Sequence, residues 1–387
     1  MMRLAVVRQR YTPFGGAERF LENALAALAD RNVAVTLYTR EWPQAPIGSI
    51  ATRIVDPFHI GGLWRDIGFA RAVCRALGRD RAELVQSHER LACCDIFRAG
   101  DGVHAVWLDE RLRRAPLAAR LAVRINPHHR YRLATERRMY SSARLKAVIC
   151  NSDMVRDEIR ERFGVADERL HVVYNAVDTD VYAPALRAHR SRVRAQHGVP
   201  DASTLFVLVG SGFERKGVAT LIDALALLDA NSHLIVVGHD KHLQRYAERA
   251  RALGLSGRVT LAGPQTDPRP YYGAADAFVL PTLYDPCPNA ALEAMACALP
   301  IVTSTKSGAA ELALAHDAGL VCAAGDAAGL AAQLRTLQDA ALRSRMGGNA
   351  RAAVLPLTTS AMTQKLMALY RALLPQVPER PSPSEAT

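Results

Sequence analysis

The chain has 387 residues, of which 49% are hydrophobic and 22% charged, so it is neither a disordered polymer nor too small for two domains of ordinary size. No apolar run reaches the roughly 18 residues of a membrane-spanning helix, and the N-terminal stretch lacks the long apolar core of a signal peptide. The net charge of +11 is concentrated in residues 111–146, which hold eleven basic residues and one acidic residue, Glu136.

The N-terminal part of the chain alternates short apolar runs with stretches of helical periodicity. This pattern predicts strands over residues 4–7, 33–38, 83–87 and 145–150 and helices over 17–29, 71–77 and 154–163. Such alternation predicts an α/β fold with a parallel sheet that is covered by helices on both faces.

A second series of the same kind follows a basic, Ala-rich connection between Asp178 and Asp201. Its strands are predicted over residues 205–209, 233–237, 259–261, 277–280 and 301–303. We therefore predict an N-terminal domain over 1–178, a C-terminal domain over 179–360, a helix over 361–374 that packs back on the N-terminal domain, and a disordered tail over 375–387.

The cysteines are predicted to be reduced. There are seven, an odd number, and no two of them form a Cys-x-x-Cys pair. This usage is typical of a cytoplasmic protein without disulfides or a zinc site.

Two glycine-containing loops lie at the ends of predicted strands. Gly15 and Gly16 stand between a strand and a helix, where backbone N–H groups can approach an anion. After the first strand of the second domain, a glycine loop carries Arg215 and Lys216, two adjacent cations that suit a pyrophosphate. Neither loop has the Gly-x-Gly-x-x-Gly spacing of dinucleotide enzymes, which disfavours a nicotinamide dehydrogenase.

A third feature runs from a strand through a loop into a helix, at residues 283–300. Asp285 lies in the loop, and Glu293 lies eight residues later, inside the helix. This spacing can place one carboxylate on sugar hydroxyls and the other on a ribose. The helix N-terminus between these two acids offers the backbone N–H groups of Asn289, Ala290 and Ala291 to a phosphate.

Together, these three features resemble the retaining glycosyltransferases of the two-domain GT-B superfamily, in the branch of bacterial lipopolysaccharide core glucosyltransferases. The resemblance extends from Leu4 to about Leu373, and its most specific part is the element that ends in Leu-Glu293-Ala-Met-Ala-Cys-Ala-Leu-Pro. It implies a GT-B fold, in which two Rossmann-like, doubly wound parallel-sheet domains face each other across a cleft.

The resemblance also implies roles for individual residues. Asp285 would contact the transferred sugar, Glu293 the nucleotide ribose, and Arg215 with Lys216 the diphosphate. Gly15 and Gly16 would approach the donor from the N-terminal domain. Asp285 stands where the family usually has Glu, and this shorter side chain leaves the identity of the donor sugar open.

Candidates for the catalytic side lie in the N-terminal domain. Asp101, in Gly100-Asp-Gly-Val-His104, is similar in place to the polar residue that the family presents over the reacting carbon. It would orient the acceptor or stabilise positive charge on the sugar ring. His104 and His88 are weaker candidates, since a lone His in such a loop is more often structural.

The resemblance implies transfer with retention of configuration and without a metal or cofactor, since Arg215 and Lys216 can stabilise the departing diphosphate. UDP-glucose is the donor that the family favours. The mixed basic and apolar residues 111–146 predict docking on an anionic membrane surface, at the inner face of the cytoplasmic membrane, where a lipid-linked acceptor would be found.

Several alternatives remain open at this point. The same chemistry could serve capsule, exopolysaccharide or another glycolipid instead of the lipopolysaccharide core. A nicotinamide dehydrogenase or a nucleic-acid-binding protein would be a different class, and the glycine spacings and the localised charge disfavour both.

Overall fold

A computed structural model describes residues 2–10, 33–42, 50–80, 82–113 and 115–374. The predicted helix over 17–29, the residues Gly15 and Gly16, and the predicted tail over 375–387 lie outside the described residues. Helices and strands are numbered below through the described residues alone.

The N-terminal half forms a seven-stranded sheet in the order β3-β2-β1-β4-β5-β6-β7, and every pairing is parallel. The strands are β1 Met2–Val7, β2 Val33–Thr39, β3 Ala51–Ile54, β4 Leu84–Ser87, β5 Ile96–Arg98, β6 Ala147–Cys150 and β7 Leu170–Val172. The helices are α1 Gly61–Leu77, α2 His104–Arg113, α3 Leu117–Ile125, α4 Pro127–Tyr140 and α5 Asp153–Phe163. The apolar sides of α1, α2, α4 and α5 form a continuous core with one face of the sheet.

The C-terminal half forms a six-stranded sheet in the order β10-β9-β8-β11-β12-β13, again parallel throughout. The strands are β8 Thr204–Val209, β9 Ser232–Val237, β10 Val259–Gly263, β11 Ala277–Leu280, β12 Ile301–Ser304 and β13 Gly319–Cys322. The helices are α6 Arg190–Gln196, α7 Phe213–Lys216, α8 Val218–Ala226, α9 Leu243–Ala252, α10 Arg269–Ala274, α11 Asn289–Ala296, α12 Ala309–Ala315, α13 Ala327–Thr336 and α14 Ala340–Val354.

The last described helix, α15 (Thr359–Leu373), returns to the first sheet. Its buried side chains pack against residues of β1, β2, β4, β5 and β6. Tyr370 also donates a hydrogen bond of 2.6 Å from its hydroxyl to Oε1 of Gln86 in β4. The C-terminal helix therefore covers the face of the N-terminal sheet that is opposite to α1, α2, α4 and α5.

The doubly wound α/β fold class predicted from the sequence is confirmed, because both sheets are parallel and both are built of alternating strands and helices. Several elements are additional to the sequence prediction, among them β5, β7 and β13, which have only three or four residues each. Helix α1 begins at Gly61, ten residues before the predicted start at Arg71.

One prediction about the cysteines is wrong. Cys74 of α1 and Cys93, in the loop after β4, form a disulfide with their Cα atoms 5.8 Å apart. The fold brings these two residues together because both pack against the same N-terminal core, and the Cα separation lies in the range that a disulfide spans. The five other cysteines are free and buried.

Within the described part of the chain, no helix combines the length and the apolar character needed to cross a bilayer.

Candidate active site

The glycine loop after β8 ends in a one-turn helix that carries the two predicted cations. Helix α7 runs from Phe213 to Lys216 and stops at Gly217, whose φ of +76° is accessible to glycine at little cost. A Cβ at this position would collide with the carbonyl oxygen of Pro281, which follows β11. The close approach of these two backbones aims Lys216 at the loop that carries Asp285.

Lys216 and Asp285 form a buried ion pair. Nζ of Lys216 lies 2.6 Å from Oδ2 of Asp285, and Nη1 of Arg215 lies 3.5 Å from the same oxygen. Both members of the pair are less than a tenth exposed, whereas the Arg215 side chain is 41% exposed. Since β8 and β11 are neighbours in the sheet, the pair occupies the point where the strand order reverses, which is where ligands bind in open α/β sheets.

Burial and charge oppose each other in this pair. Burial raises the pKa of Asp285, but Lys216 and Arg215 outweigh it and hold that pKa below its usual range. Burial also lowers the pKa of Lys216, and the attraction of Asp285 only partly offsets it. Because two cations act on one carboxylate at 2.6 and 3.5 Å, Asp285 is ionised and the pair is charged.

Glu293 is buried in the second turn of α11, and its Oε2 accepts a hydrogen bond of 2.8 Å from the Tyr272 hydroxyl. Nothing in the sequence pattern points to Tyr272, which lies on α10, 21 residues before Glu293. A buried carboxylate needs such a donor, and its other oxygen can accept from a diol as well. Glu293 therefore has a fixed orientation.

The first turn of α11 is tied to the N-terminal half of the chain. Nδ2 of Asn175 donates to the Asn289 side chain at 2.6 Å and to the Cys287 carbonyl at 3.2 Å. Arg98, at the end of β5, donates in turn to Oδ1 of Asn175 at 2.7 Å. This chain of hydrogen bonds fixes the loop between Asp285 and the helix that contains Ala290 and Ala291.

Asp101 lies on the loop between β5 and α2. The side chain is exposed to solvent, but the surrounding protein removes part of its hydration. This desolvation alone would raise the pKa of the Asp101 carboxyl. The guanidinium groups of Arg8, Arg90, Arg132 and Arg215 more than offset this effect, so the pKa lies below its usual range. The neighbouring Gly102 packs closely against Tyr284 and Pro286 of the C-terminal domain, so the loop of Asp101 lies at the boundary between the two domains.

The loop that carries Asp101 is held by Glu136, the one acidic residue of the basic segment 111–146. Glu136 is 1% exposed, and its oxygens accept from the backbone N–H groups of His104 and Ala105 at 2.8 and 3.2 Å. Arg90 pairs with Glu136 at 3.0 Å and donates to the carbonyl of Gly102 at 3.1 Å. An acidic side chain at the start of α2 is favourable because it faces the positive end of the helix dipole.

Both candidate histidines are buried and neutral. Burial, with Arg90 and Arg132 next, lowers the pKa of His104 to about 3, and its Nε2 lies 3.2 Å from Nδ1 of His129. His88, at the end of β4, has a pKa well below its usual value through burial and the nearby charges of Arg98 and Arg8. A neutral imidazole can donate a hydrogen bond to a substrate hydroxyl or accept one from it, but it carries no positive charge.

The structure thus brings Arg215, Lys216 and Asp285 together, with Glu293 on the adjoining helix and Asp101 across the cleft. Within the described ranges, no group of three or more His, Cys, Asp or Glu side chains is arranged to hold a metal ion.

Comparison with known proteins identifies both halves of the chain. Residues 14–181 match the sequence model of Glycosyltransferase Family 4, and residues 189–353 match that of Glycosyl transferases group 1. A probable transglycosylase of Burkholderia thailandensis, BTH_I0986, is 29% identical over 346 residues, which is 88% of each chain. The lipopolysaccharide glucosyltransferase WaaG of Escherichia coli K12 is 24% identical over 328 residues, or 83% of this chain and 85% of WaaG.

Solved structures agree. The crystal structure of WaaG, a glycosyltransferase involved in lipopolysaccharide biosynthesis, superposes with a TM-score of 0.80 at 23% identity, and the match covers 95% of this chain and 99% of that one. Anabaena HepE in complex with UDP-glucose gives a TM-score of 0.72 at 20% identity over 96% of this chain and 100% of its own.

Two parallel-sheet domains, superposable on WaaG, show that the chain has the GT-B fold. The two matched models together span most of the chain. The chain is therefore a glycosyltransferase with a Glycosyltransferase Family 4 domain and a Glycosyl transferases group 1 domain, and it is related to the lipopolysaccharide core glucosyltransferases. The predicted fold and family are confirmed.

Proposed function

We propose that this glycosyltransferase moves a hexose from a UDP-sugar, with UDP-glucose as the first candidate, to a lipid-linked acceptor of the lipopolysaccharide core type, with retention of configuration and without a metal. One observation carries the proposal: Arg215, Lys216 and Asp285 converge at the switch point of the C-terminal sheet. Two cations and a carboxylate at such a point match the diphosphate and the hydroxyls of a nucleotide sugar.

The chemistry follows from the charges. The bond between the anomeric carbon and the diphosphate oxygen breaks, and the nucleoside diphosphate leaves with the electron pair. The acceptor hydroxyl then attacks the same face, and its proton passes to the departing phosphate oxygen. Arg215 and Lys216 stabilise the growing negative charge on that phosphate, while the Asp101 carboxylate faces the positive charge that develops on the sugar ring.

The two acids of the C-terminal domain position the donor. Asp285 exchanges part of its contact with Lys216 for hydrogen bonds to sugar hydroxyls, and Glu293, oriented by Tyr272, receives the ribose diol. Gly15 and Gly16 are proposed to approach the donor from the other domain. His104 and His88, being neutral, are proposed to contact hydroxyls of the acceptor.

The pair of helices α3 and α4, which lies within the basic segment 111–146, supports docking on the inner face of the cytoplasmic membrane. No residue of α3 is buried, and Leu117, Leu121 and Ile125, four residues apart, are 81%, 62% and 65% exposed on one side of the helix. Arg120 and Arg124 are exposed on the same short helix. An apolar stripe flanked by arginines suits a surface of anionic lipids, and each cation there contributes about 1 kcal/mol.

A second apolar group lies beside α3. Phe58, Ile60 and Trp64, around the start of α1, are all more than 60% exposed. His128, three residues after Ile125, pairs with Asp66 of α1 at 2.9 Å, so this group and the stripe of α3 lie at the same end of the domain. The shared position supports a single membrane-facing surface.

The WaaG name supports glucose and lipopolysaccharide as the first choices of donor sugar and acceptor. Capsule, exopolysaccharide or another glycolipid is the alternative acceptor, since related glycosyltransferases of other names also match the chain.

The test is thermal unfolding of the purified protein with UDP-, GDP-, ADP- and CMP-sugars and with NAD(H). A ligand at about 100 times its Kd adds about 2.7 kcal/mol of stability. We expect a UDP-sugar to raise the Tm of the wild type and of Lys365→Ala, an exposed lysine on α15. The Lys216→Ala variant should lose that response relative to its own unliganded Tm. Stabilisation by NAD(H) alone would contradict the proposal.

A further inference from the structure

Tyr284 crosses from one domain into the other. The residue follows β11 in the C-terminal half and immediately precedes Asp285. Its ring is 2% exposed and is a member of the N-terminal core, together with Ala99, Val103 and Tyr140. A side chain of the donor-side loop is therefore buried inside the opposite domain.

The Tyr284 hydroxyl makes two hydrogen bonds, both to the N-terminal half. It accepts from the backbone N–H of Val103 at 2.8 Å and donates to Oε2 of Glu158, on α5, at 2.8 Å. The other oxygen of Glu158 accepts from Nζ of Lys306 at 3.2 Å, so the C-terminal domain contacts Glu158 twice. Burial and the neighbouring Glu158 carboxylate raise the pKa of Tyr284 well above its usual value, which keeps the hydroxyl protonated.

The loop that carries Asp101 is shaped around this hydroxyl. Gly102 has a φ of +68°, and a Cβ there would collide with the Tyr284 oxygen and with Cγ of Pro286. Because residue 102 is a glycine, Tyr284 and Pro286 can approach the backbone of this loop closely. Arg90 holds the same loop on its other side, through the carbonyl of Gly102.

We propose that Tyr284 is a positioning residue, which sets the loop of Asp101 against the loop of Asp285 in the geometry that sugar transfer requires. Asp285 directly follows Tyr284 in the chain. Asp101 lies two residues before Val103, whose backbone N–H donates to the Tyr284 hydroxyl. The two carboxylates approach the reacting carbon from opposite domains, so a single tyrosine fixes their relative positions. This inference rests on the proposed function, because it assigns a role in that reaction.

The test uses Tyr284→Phe, which keeps the packed ring and removes only the hydroxyl. Tyr140→Phe is the matched control, because Tyr140 is buried in the same core and its hydroxyl has no hydrogen-bond partner within the described residues. Two measurements are made on both variants and on the wild type. The first is amide hydrogen exchange of residues 99–105, and the second is kcat and KM for UDP-glucose with a lipopolysaccharide acceptor.

We expect Tyr284→Phe to speed exchange in residues 99–105 by roughly tenfold or more, since the Val103 N–H loses its buried acceptor. We expect kcat to fall by about 10- to 100-fold, because small misplacements of reacting groups cost that much, with KM for the donor changed less than about twofold. Tyr140→Phe should leave both measurements unchanged.

Unchanged exchange, or an unchanged kcat beside faster exchange, would overturn the positioning role. A fall in kcat that Tyr140→Phe shares would overturn it too, because that result would reflect general loosening of the core. A wild-type chain that transfers no sugar from any nucleotide donor contradicts the proposed function instead. The exchange measurement then still decides whether Tyr284 holds the loop.

Discussion

The buried Lys216–Asp285 pair has separable effects on stability and on activity. Removing only Lys216 leaves a buried carboxylate without its closest partner, so we expect Lys216→Ala to lose about 3–5 kcal/mol of unfolding free energy. The double variant Lys216→Ala/Asp285→Ala should recover a large part of that loss, because no uncompensated charge remains. Its transferase activity should stay reduced by about 100-fold or more, since a lost contact to the departing charge costs about 2.7–4 kcal/mol in the barrier.

Urea unfolding and steady-state kinetics on the two variants measure these effects. Arg249→Ala is the control, because Arg249 pairs with Asp223 at 2.6 Å on the surface, where an ion pair contributes about 1 kcal/mol or less. The account of a charged, buried pair would be wrong if the double variant were no more stable than Lys216→Ala.

His104 gives the molecule a specific pH dependence. Its pKa in the folded chain is about 3, below the value of about 6.5 in an unfolded chain, so the unfolded state binds the extra proton first as the pH falls. The stability that neutral His104 contributes is therefore complete above pH ~6.5 and declines as the pH falls toward 3, with a slope of at most about 1.4 kcal/mol per pH unit.

We expect His104→Gln to flatten the plot of unfolding free energy against pH between roughly 4 and 6.5. His316, which is exposed on the C-terminal domain, is the control position for the same substitution. An NMR titration of the wild type in which the His104 ring protonates near pH 6.5 would show that the burial argument is wrong.

At the scale of elements, the disulfide ties α1 to the loop after β4. This loop also carries Arg90, which holds the backbone of Gly102. A thiol titration of the protein, denatured without reductant, should find five reactive thiols, and seven after reduction. Cys74→Ser should lower the stability of the oxidised protein by about 3 kcal/mol, as expected for a closed loop of this length. Seven thiols without reductant would contradict the pairing.

The helix pair α3–α4 and the start of α1 form the proposed membrane surface. We expect Leu121→Ser and Trp64→Ser each to weaken binding to vesicles that contain anionic lipid by about tenfold, because each removes apolar area that the lipid would bury. Binding should also fall as salt is raised. Sedimentation with vesicles measures both effects.

Leu314→Ser is the matched control for that experiment. Leu314 is 66% exposed, like Leu121, but lies on α12 of the C-terminal domain. Equal losses for Leu314→Ser and Leu121→Ser would show that the surface around α3 has no special affinity for lipid.

At the scale of the whole molecule, the sequence predicts what is local. Apolar runs such as those of β1 and β8 predict the two parallel sheets, and the spacing of Asp285 and Glu293 predicts the loop and helix that carry them. The three-residue strand β5 escapes prediction because it is short and ends in Arg98, a buried arginine whose partner Asn175 lies 77 residues away.

The contacts between distant residues are what the sequence could not predict. Lys216 and Asp285 are 69 residues apart, and Tyr284 and Val103 are 181 apart. Tyr272 and Tyr284 resemble ordinary core aromatics until the fold places their hydroxyls on Glu293 and on the loop of Asp101. The disulfide could not be predicted for the same reason, since its two cysteines approach each other only when both pack against the N-terminal core.

The two domains also meet through charge. The side-chain oxygens of Glu311, on α12, accept from the backbone N–H groups of Asp153 and Met154 at 2.8 and 3.0 Å. A glutamate of the C-terminal domain thus caps helix α5 of the N-terminal domain. Arg111 pairs with Glu214 across the same cleft at 3.2 Å. These contacts, with Tyr284, hold the two domains together.

The most direct test of the central claim is transfer itself. The purified protein is incubated with UDP-glucose labelled in the sugar and with a truncated lipopolysaccharide acceptor, and the lipid product is analysed by NMR. We expect labelled lipid in which the new linkage has the α configuration of the donor, and no such product from Lys216→Ala. An inverted linkage would contradict the retaining mechanism. Failure of every nucleotide sugar to label any lipid or polysaccharide acceptor would contradict the proposed function.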